Sequence, residues 1–276
     1  MRIRLGFDIA YSCQQPTPTL FKLQVEPARA ADLIGREAIV ADNGLELSPY
    51  IDAFGNRCLR GVSRPGRTRL RLDALIEDDG THDSRDQAAK EAPLNELPPE
   101  TLQFLQPSRY CESDALSAFA WSRFGATNPG WERAQAIVDF AHRQIRFGYP
   151  DANIWRTAQS AMSDGVGVCR DYAHLAVALL RAMNIPARYC NGYMGDIGVP
   201  PDPAPMDFNA WCEAYLGGKW WTFDARHNTP RIGRVVISRG MDAADCAMIH
   251  TFGPHWLESF KVVTEEAEPR AAPRVA

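Results

Sequence analysis

Residues 165–174 read GVGVCRDYAH and place Cys169 where a glycine-bearing loop meets a strongly apolar segment. After the cysteine, apolar residues recur at intervals of three and four, which predicts a buried helix that ends near residues 184–186. These positions are Leu175, Ala176, Leu179, Leu180 and Met183. Cys169 would then lie at the helix N-terminus, where unpaired N–H groups and the helix dipole favour a thiolate. A buried structural cysteine is the simpler interpretation of Cys169 alone, and the downstream residues favour a nucleophile instead.

A second informative segment, residues 207–224, has two alternating runs on either side of Gly217 and Gly218. Two glycines between such runs predict a β-hairpin with a two-residue loop. In that register Asn209 and Asp224 are diagonal neighbours on one face, at the ~7–8 Å spacing that side chains can bridge. The opposite face is uniformly apolar and is predicted to lie in the core. It consists of Ala210, Cys212, Ala214, Leu216, Trp221 and Phe223.

Charge and hydropathy exclude several classes of protein. The 276 residues include 30 basic and 34 acidic side chains, for a net charge of −4, and no long basic run. Nucleic acid is therefore not an expected partner. No stretch approaches the ~20 apolar residues of a membrane span, and the N-terminus lacks the apolar core of a signal peptide. A cytoplasmic protein without membrane contact is predicted.

The cysteines indicate free thiols. They are seven in number, widely spaced and free of any Cys-x-x-Cys pair, which argues against a disulfide framework and a zinc finger. Cys246, His250 and His255 bear a faint likeness to metal ligands. Because no fourth ligand follows at a supporting spacing, we expect these three to be packed or exposed and predict no metal or cofactor.

Two domains are predicted. Alternating apolar runs up to about residue 77 predict an antiparallel β-sandwich, and with the acidic, proline-bearing linker after it they form domain 1–100. Residues 101–265 form the core, with helices at 116–124 and 131–145 before the cysteine helix. Residues 266–276 are predicted to be a disordered tail. The proline-rich segment 194–206 is interpreted as a surface loop, either a plain connection or a carrier of the substrate.

Several segments resemble the transglutaminase-like branch of the papain-type superfamily. They are residues 167–174, 185–189, 210–216 and 221–224, while residues 52–56 and 107–110 resemble a bacterial subgroup with an N-terminal β-domain. The resemblance covers nearly the whole chain and implies an α+β fold. In that fold an N-terminal antiparallel β-sandwich domain precedes a papain-like/transglutaminase-like core, whose nucleophile helix packs on an antiparallel sheet.

The resemblance also implies the roles of individual residues. Cys169 is the nucleophile, position 209 is the histidine that takes its proton, and Asp224 orients that histidine. The thiolate attacks an amide to form a thioester, which water or an amine resolves. Substrate binding is assigned to Tyr172, Trp211 and Asp207.

This chain departs from the family pattern at Asn209. A carboxamide does not titrate near neutral pH and cannot serve as a general base, although it can hydrogen-bond the thiol. His174 is no obvious replacement, because five residues along a helix is about 140° round from Cys169. His227, three residues beyond Asp224, is better placed, with a surface histidine as the simpler interpretation.

Three functional hypotheses remain open, and a peptide or protein is the partner in each. The leading one is a cysteine peptidase or amidase that acts on peptide or isopeptide bonds, with Asn209 as a single substitution in an active enzyme. The second is a transglutaminase, calcium-independent because no Asp-x-Asp-x-Asp-Gly pattern occurs. The third is an inactive, peptide-binding relative of such enzymes.

Overall fold

The computed structural model describes residues 1–267 and shows a mixed α+β protein built on antiparallel sheets. Seven strands precede the first α-helix. They are β1 (Arg2–Cys13), β2 (Thr17–Phe21), β3 (Leu33–Ile34), β4 (Val40–Ala41), β5 (Ser48–Ile51), β6 (Arg57–Ser63) and β7 (Gly66–Glu77). The alternating apolar run from Leu20 to Val25 is part of β2 only up to Phe21. The Val25 N–H instead donates to the Glu37 carboxylate at 2.7 Å, which replaces a strand partner.

The remaining elements are five helices and eight strands. The helices are α1 (Pro99–Leu102), α2 (Ser117–Phe124), α3 (Trp131–Gln144), α4 (Ala158–Asp164) and α5 (Cys169–Ala182). The strands are β8 (Arg146–Phe147), β9 (Val166–Gly167), β10 (Ala187–Tyr193), β11 (Asn209–Leu216), β12 (Lys219–Phe223), β13 (Val235–Gly240), β14 (Ile249–Thr251) and β15 (His255–Glu266). The predicted helices α2, α3 and α5 are confirmed, whereas α4 was not predicted.

The β-sandwich has two sheets around one hydrophobic core. One sheet has the order β15-β1-β7-β3, with β4 also on β7, and the other has the order β14-β2-β6-β5. Tyr11 on β1 joins the sheets through a 2.6 Å hydrogen bond between its hydroxyl and that of Ser63 on β6. Residues 52–56 form a turn between β5 and β6, where the Asp52 carboxylate accepts from the backbone of Phe54 and Asn56.

The last two strands belong to the sandwich and not to the core. β15 pairs with β1 along its whole length, from Ile3↔Glu266 to Cys13↔His255, and β14 pairs with β2. The predicted core limit at residue 265 is therefore wrong for this segment. The alternating residues 259–263 favour a strand, but local periodicity does not reveal a pairing partner more than 240 residues away. The predicted disordered tail starts inside β15 at Glu266, and residues 268–276 lie outside the described residues.

The core places α5 against an antiparallel sheet of order β12-β11-β10-β13. Every residue of α5 from Asp171 to Ala182 is buried, since the sheet covers one side and α2, α3 and α4 pack around the rest. The hairpin has the predicted register, with Leu216 opposite Lys219 and Cys212 opposite Phe223. Its predicted apolar face lies in the core. Among residues 1–267, no helix combines the length and apolarity that a membrane span needs.

Candidate active site

Cys169 is the first residue of α5, as predicted, and the chain enters the helix through an extended Val168. The Asp171 carboxylate accepts the Val168 N–H at 2.9 Å, which caps the helix start. Asp171 approaches so closely that a Cβ on Gly167 would lie 2.6 Å from its Oδ2 atom. Glycine at 167 is therefore required for the cap that fixes the cysteine.

Two arginines hold the loop before α5 in place. Arg156 bonds to the Asp164 carboxylate at 3.1 Å and to Asp171 at 3.5 Å. Arg170 donates to the backbone carbonyl of Asn153. These bonds connect the segment before α4 to the helix start, so the position of Cys169 depends on packing on both sides of it.

The thiol of Cys169 lies against Ala210, the second residue of β11. Burial raises the pKa of the Cys169 thiol to about 11, and the Asp207 carboxylate adds to the rise. The Ala210 N–H and the Arg226 guanidinium act in the opposite direction. The thiol is thus protonated at neutral pH, and the helix terminus does not by itself supply the thiolate. A nucleophilic Cys169 needs a proton acceptor.

Asn209 is the residue before Ala210 and lines a pocket together with Asp207, Arg226 and His227. Asp207 and Arg226 in that pocket both act on the Cys169 thiol. The Asn209 amide donates to the carbonyls of Met194 and Asp207, both at 3.3 Å. Among the described residues it has no hydrogen bond to Asp224. The expected link between positions 209 and 224 is therefore wrong, because the Asp224 carboxylate is occupied by other donors.

Those donors come from the turn that follows Asp224 and from Arg234. The Oδ1 atom accepts the backbone N–H groups of Arg226 (3.0 Å) and His227 (3.1 Å). The Oδ2 atom contacts the His227 ring at 3.1 Å and the Arg234 guanidinium at 3.0 Å. Burial alone would raise the pKa of the Asp224 carboxyl, but Arg234 and His227 hold it well below its ordinary value.

His227 is therefore not the surface histidine that the simpler interpretation assumed. Its side chain is 23% exposed, and its Nδ1 atom faces the Asp224 carboxylate. Because an ionised carboxylate only accepts hydrogen bonds, Nδ1 carries the ring proton and Nε2 is free to accept another. A histidine held in this tautomer beside a cysteine pocket is suited to general-base chemistry.

A further carboxylate supports this pair from the linker between the domains. Asp83 accepts from the Arg234 guanidinium at 3.1 Å and from the Arg231 backbone N–H at 2.9 Å. The ring of Trp211 lies under Arg234, with 4.5 Å from the ring centroid to the guanidinium carbon. Arg234 thus joins Asp83 and Asp224 in one buried network that sequence reasoning missed.

Two of the three predicted substrate-binding residues are wrong. Trp211 is fully buried under Arg234, and Tyr172 is buried in the core, where its hydroxyl donates to the Ile145 carbonyl at 2.6 Å. Neither side chain is accessible to a substrate. Asp207 does lie in the pocket, and burial raises the pKa of its carboxyl.

The pocket wall opposite the hairpin comes from the predicted surface loop and from Tyr149. The loop contributes Met194, Gly195, Asp196, Asp202, Ala204, Pro205 and Met206. Residues 194–206 therefore form part of the candidate site.

His174 is a structural residue of the core. Its ring is fully buried and stacks on Tyr110, with 5.1 Å between centroids, while its Nε2 atom accepts the Ala243 N–H at 3.1 Å. Burial lowers the pKa of His174 to about 3, so the ring is neutral at physiological pH.

Cys246 is likewise buried, His250 is exposed, and within residues 1–267 no three His, Cys, Asp or Glu side chains gather as metal ligands.

The helix-borne cysteine, the antiparallel sheet and the hairpin define a transglutaminase-like core. The model of the transglutaminase-like superfamily matches residues 120–225, a range that contains Cys169, Asn209 and Asp224 and ends two residues before His227. By this match, the core of the chain is similar to the transglutaminase-like superfamily.

Two individual proteins are similar to the chain. A crystal structure of a "putative cysteine protease" from Cytophaga hutchinsonii superposes with a TM-score of 0.83 at 29% identity, over 99% of this chain and 93% of that one. An uncharacterized protein of Mycobacterium leprae is 26% identical over 148 residues, which are 52% of this chain and 53% of that protein. The match therefore spans about half the length of the M. leprae relative, while the likeness to the C. hutchinsonii structure includes the β-sandwich.

Proposed function

We propose that the chain is a cysteine hydrolase that cleaves peptide or isopeptide amides through a thioester on Cys169. The observation that carries the proposal is the position of Cys169. It is the first residue of a buried helix, it lies against the hairpin strand that bears position 209, and a pocket opens beside it. The likeness to the C. hutchinsonii protein supports the same class of reaction.

The position of Cys169 suits thiol chemistry for a second reason. The first N–H groups of a helix have no intrahelical acceptors and point toward the chain entering the helix. They can therefore stabilise the oxyanion that forms when sulfur adds to an amide carbonyl. The other six cysteines are buried in the domain cores, so Cys169 is the cysteine that a substrate can reach.

The pocket indicates which substrates fit. Asp196, Asp202 and Asp207 line it together with Arg226. A surface of mixed charge suits the polar backbone and charged side chains of a peptide better than an apolar ester.

A fluorogenic peptide library, combined with mass spectrometry of the protein, tests the proposal. We expect turnover of a subset of peptides and a mass increase on Cys169 that corresponds to the acyl group of the substrate. Cys169→Ala should abolish both. Cys13→Ala, a change at a buried cysteine of the sandwich, is the matched control and should retain both.

The products distinguish hydrolysis from acyl transfer. When a primary amine is present with the peptide, a hydrolase releases the acid and a transglutaminase releases the new amide. Retained peptide binding with no turnover and no acyl-enzyme in any mixture would contradict the proposal and leave a peptide-binding role.

A further inference from the structure

We propose that His227, oriented by Asp224, is the general base that takes the proton of Cys169, the role that the family resemblance gives to position 209. This inference rests on the proposed function. It reassigns the middle member of a cysteine–histidine–aspartate triad from the first strand of the hairpin to the turn after the second strand.

Three contacts set the orientation of His227. Its backbone N–H donates to Asp224 Oδ1, its Nδ1 atom lies 3.1 Å from Asp224 Oδ2, and the ring lines the same pocket as Asn209. Within the described chain, Nε2 has no hydrogen-bond partner. Nε2 is therefore the ring nitrogen that can accept a proton. Asp224, which contacts the His227 ring, and Arg226, which precedes His227, both act on the Cys169 thiol.

Asn209 cannot serve as the general base for Cys169. Its carboxamide has no titratable proton acceptor, and its amide nitrogen is already engaged with the carbonyls of Met194 and Asp207. Asp224, the residue that would orient a histidine at 209, is committed to His227 and Arg234 instead. Asp224 thus still orients a histidine, but that histidine is at position 227 and not at position 209.

Arg234 is a positioning residue for this pair. Its side chain is 5% exposed, and it contacts Asp224 and Asp83, whose side chains are 4% and 14% exposed. A buried carboxylate without a cation would take up a proton, and Asp224 would then no longer accept from both the backbone and the ring. Arg234 keeps Asp224 ionised, and Asp83 fixes the other side of Arg234.

The proposed steps balance in atoms and charge. Nε2 of His227 takes the Cys169 proton as sulfur forms a bond to the amide carbon, and the resulting oxyanion collapses with loss of the C–N bond. The proton on Nε2 goes to the departing amine. Nε2 then takes a proton from a water molecule as the water oxygen adds to the thioester carbon. The C–S bond breaks, and the proton on Nε2 returns to the sulfur of Cys169.

Two other groups near Cys169 could accept a proton in principle. His174 is enclosed between Tyr110 and Tyr189, and its Nε2 atom is already bonded to the Ala243 N–H, so it cannot reach the thiol. Asp207 lines the pocket and acts on the Cys169 thiol, which makes it the real competitor. The experiment therefore includes an Asp207 variant.

The rate of Cys169 alkylation by iodoacetamide, followed by mass spectrometry from pH 5 to 10, tests His227 without a known substrate. We expect His227→Gln and Asp224→Asn to slow alkylation at pH 7.5 by about tenfold or more, because the first removes the base and the second removes the carboxylate that orients it. Wild type should show an inflection in its profile of alkylation rate against pH, and His227→Gln should lose it. His250→Gln, an exposed histidine on β14, is the matched control and should behave as wild type.

Imidazole rescue separates a catalytic role from a structural one. Added imidazole should restore alkylation in His227→Ala, and p-nitrophenyl acetate hydrolysis should show the same rescue, with a loss in the variant of about 10²-fold. A variant that is merely misfolded would not be rescued. Asn209→His should not raise either rate, because position 227 already supplies the base.

Three results would overturn the inference. They are unchanged alkylation kinetics in folded His227→Gln, loss of the inflection in Asp207→Asn but not in His227→Gln, and a gain of about 10²-fold in Asn209→His. Different results would contradict the proposed hydrolase function. In that case no peptide is turned over by wild type, or turnover survives in Cys169→Ala, whatever alkylation shows about His227.

Discussion

Acidification should destabilise the protein through His174, and the effect can be isolated by substitution. His174 is fully buried, and burial lowers its pKa to about 3 from the ordinary value of 6.5. As the pH falls below 6.5, the unfolded chain binds a proton at His174 while the folded chain does not. Stability that is present above pH 6.5 is therefore lost progressively down to about pH 3.

The magnitude follows from linkage. At pH 5 the solution lies about 1.5 pH units below the ordinary pKa, and each unit corresponds to about 1.4 kcal/mol. The loss from this group alone is therefore about 2 kcal/mol between pH 8 and pH 5. Asp242, whose charge opposes the lowering of the His174 pKa, limits the total loss at still lower pH.

The assay is urea unfolding at pH 8 and pH 5, followed by tryptophan fluorescence, for wild type and His174→Gln. The glutamine oxygen can accept the Ala243 N–H but does not titrate. The variant should be less stable than wild type at pH 8, because it loses the stacking on Tyr110, but its loss on acidification should be smaller by about 2 kcal/mol. Other titrating groups cancel in this difference, and His250→Gln serves as the exposed control. Equal losses in wild type and His174→Gln would refute the reasoning.

Three further outcomes are expected. Arg234→Met should lower the free energy of unfolding by roughly 3–5 kcal/mol in urea titrations, since it removes the cation that Asp224 and Asp83 share; a loss below about 1 kcal/mol would contradict the network. Gly192→Ala should destabilise by about 1–3 kcal/mol or more, because its Cβ would lie 2.1 Å from the Val235 carbonyl oxygen; an unchanged melting temperature would argue against this close approach. Iodoacetamide should modify Cys169 before the six buried cysteines, and peptide mapping that finds another cysteine labelled first would place the reactive thiol elsewhere.

The sequence predicted those parts of the site that depend on local periodicity. The spacing of apolar residues after Cys169 predicted the helix and its first residue. The two glycines at 217 and 218 predicted which residues pair across the hairpin, with no shift in register. Both signals act within about fifteen residues, where helix and strand geometry determine which side chains share a face.

The network around Asp224 could not be predicted in the same way. Asp83 and Arg234 are 151 positions apart, and no local pattern pairs an acidic linker residue with the start of a distant strand. The turn that holds His227 did have a local signal. An aspartate whose carboxylate accepts backbone N–H groups two and three residues ahead forms an Asx turn, a common preference of this residue type. The family pattern instead assigns the histidine to position 209.

The substrate-binding assignments failed for a packing reason. Tyr172 and Trp211 lie close in sequence to Cys169 and Asn209. The end of α3 covers Tyr172, and Arg234 covers Trp211, so both aromatic rings are enclosed by segments whose approach depends on the whole fold. Proximity along the chain does not predict accessibility when several layers meet at one site.

The pairing of β15 with β1 has a consequence for synthesis on the ribosome. β1 is synthesised long before β15, so one edge of β1 stays unpaired until residues 255–266 have been made. An open edge of this length is a template for pairing with another chain. During translation the nascent chain must therefore carry an exposed edge strand while the core folds, and a chain halted before residue 255 should aggregate even though every residue of its cysteine site is already present.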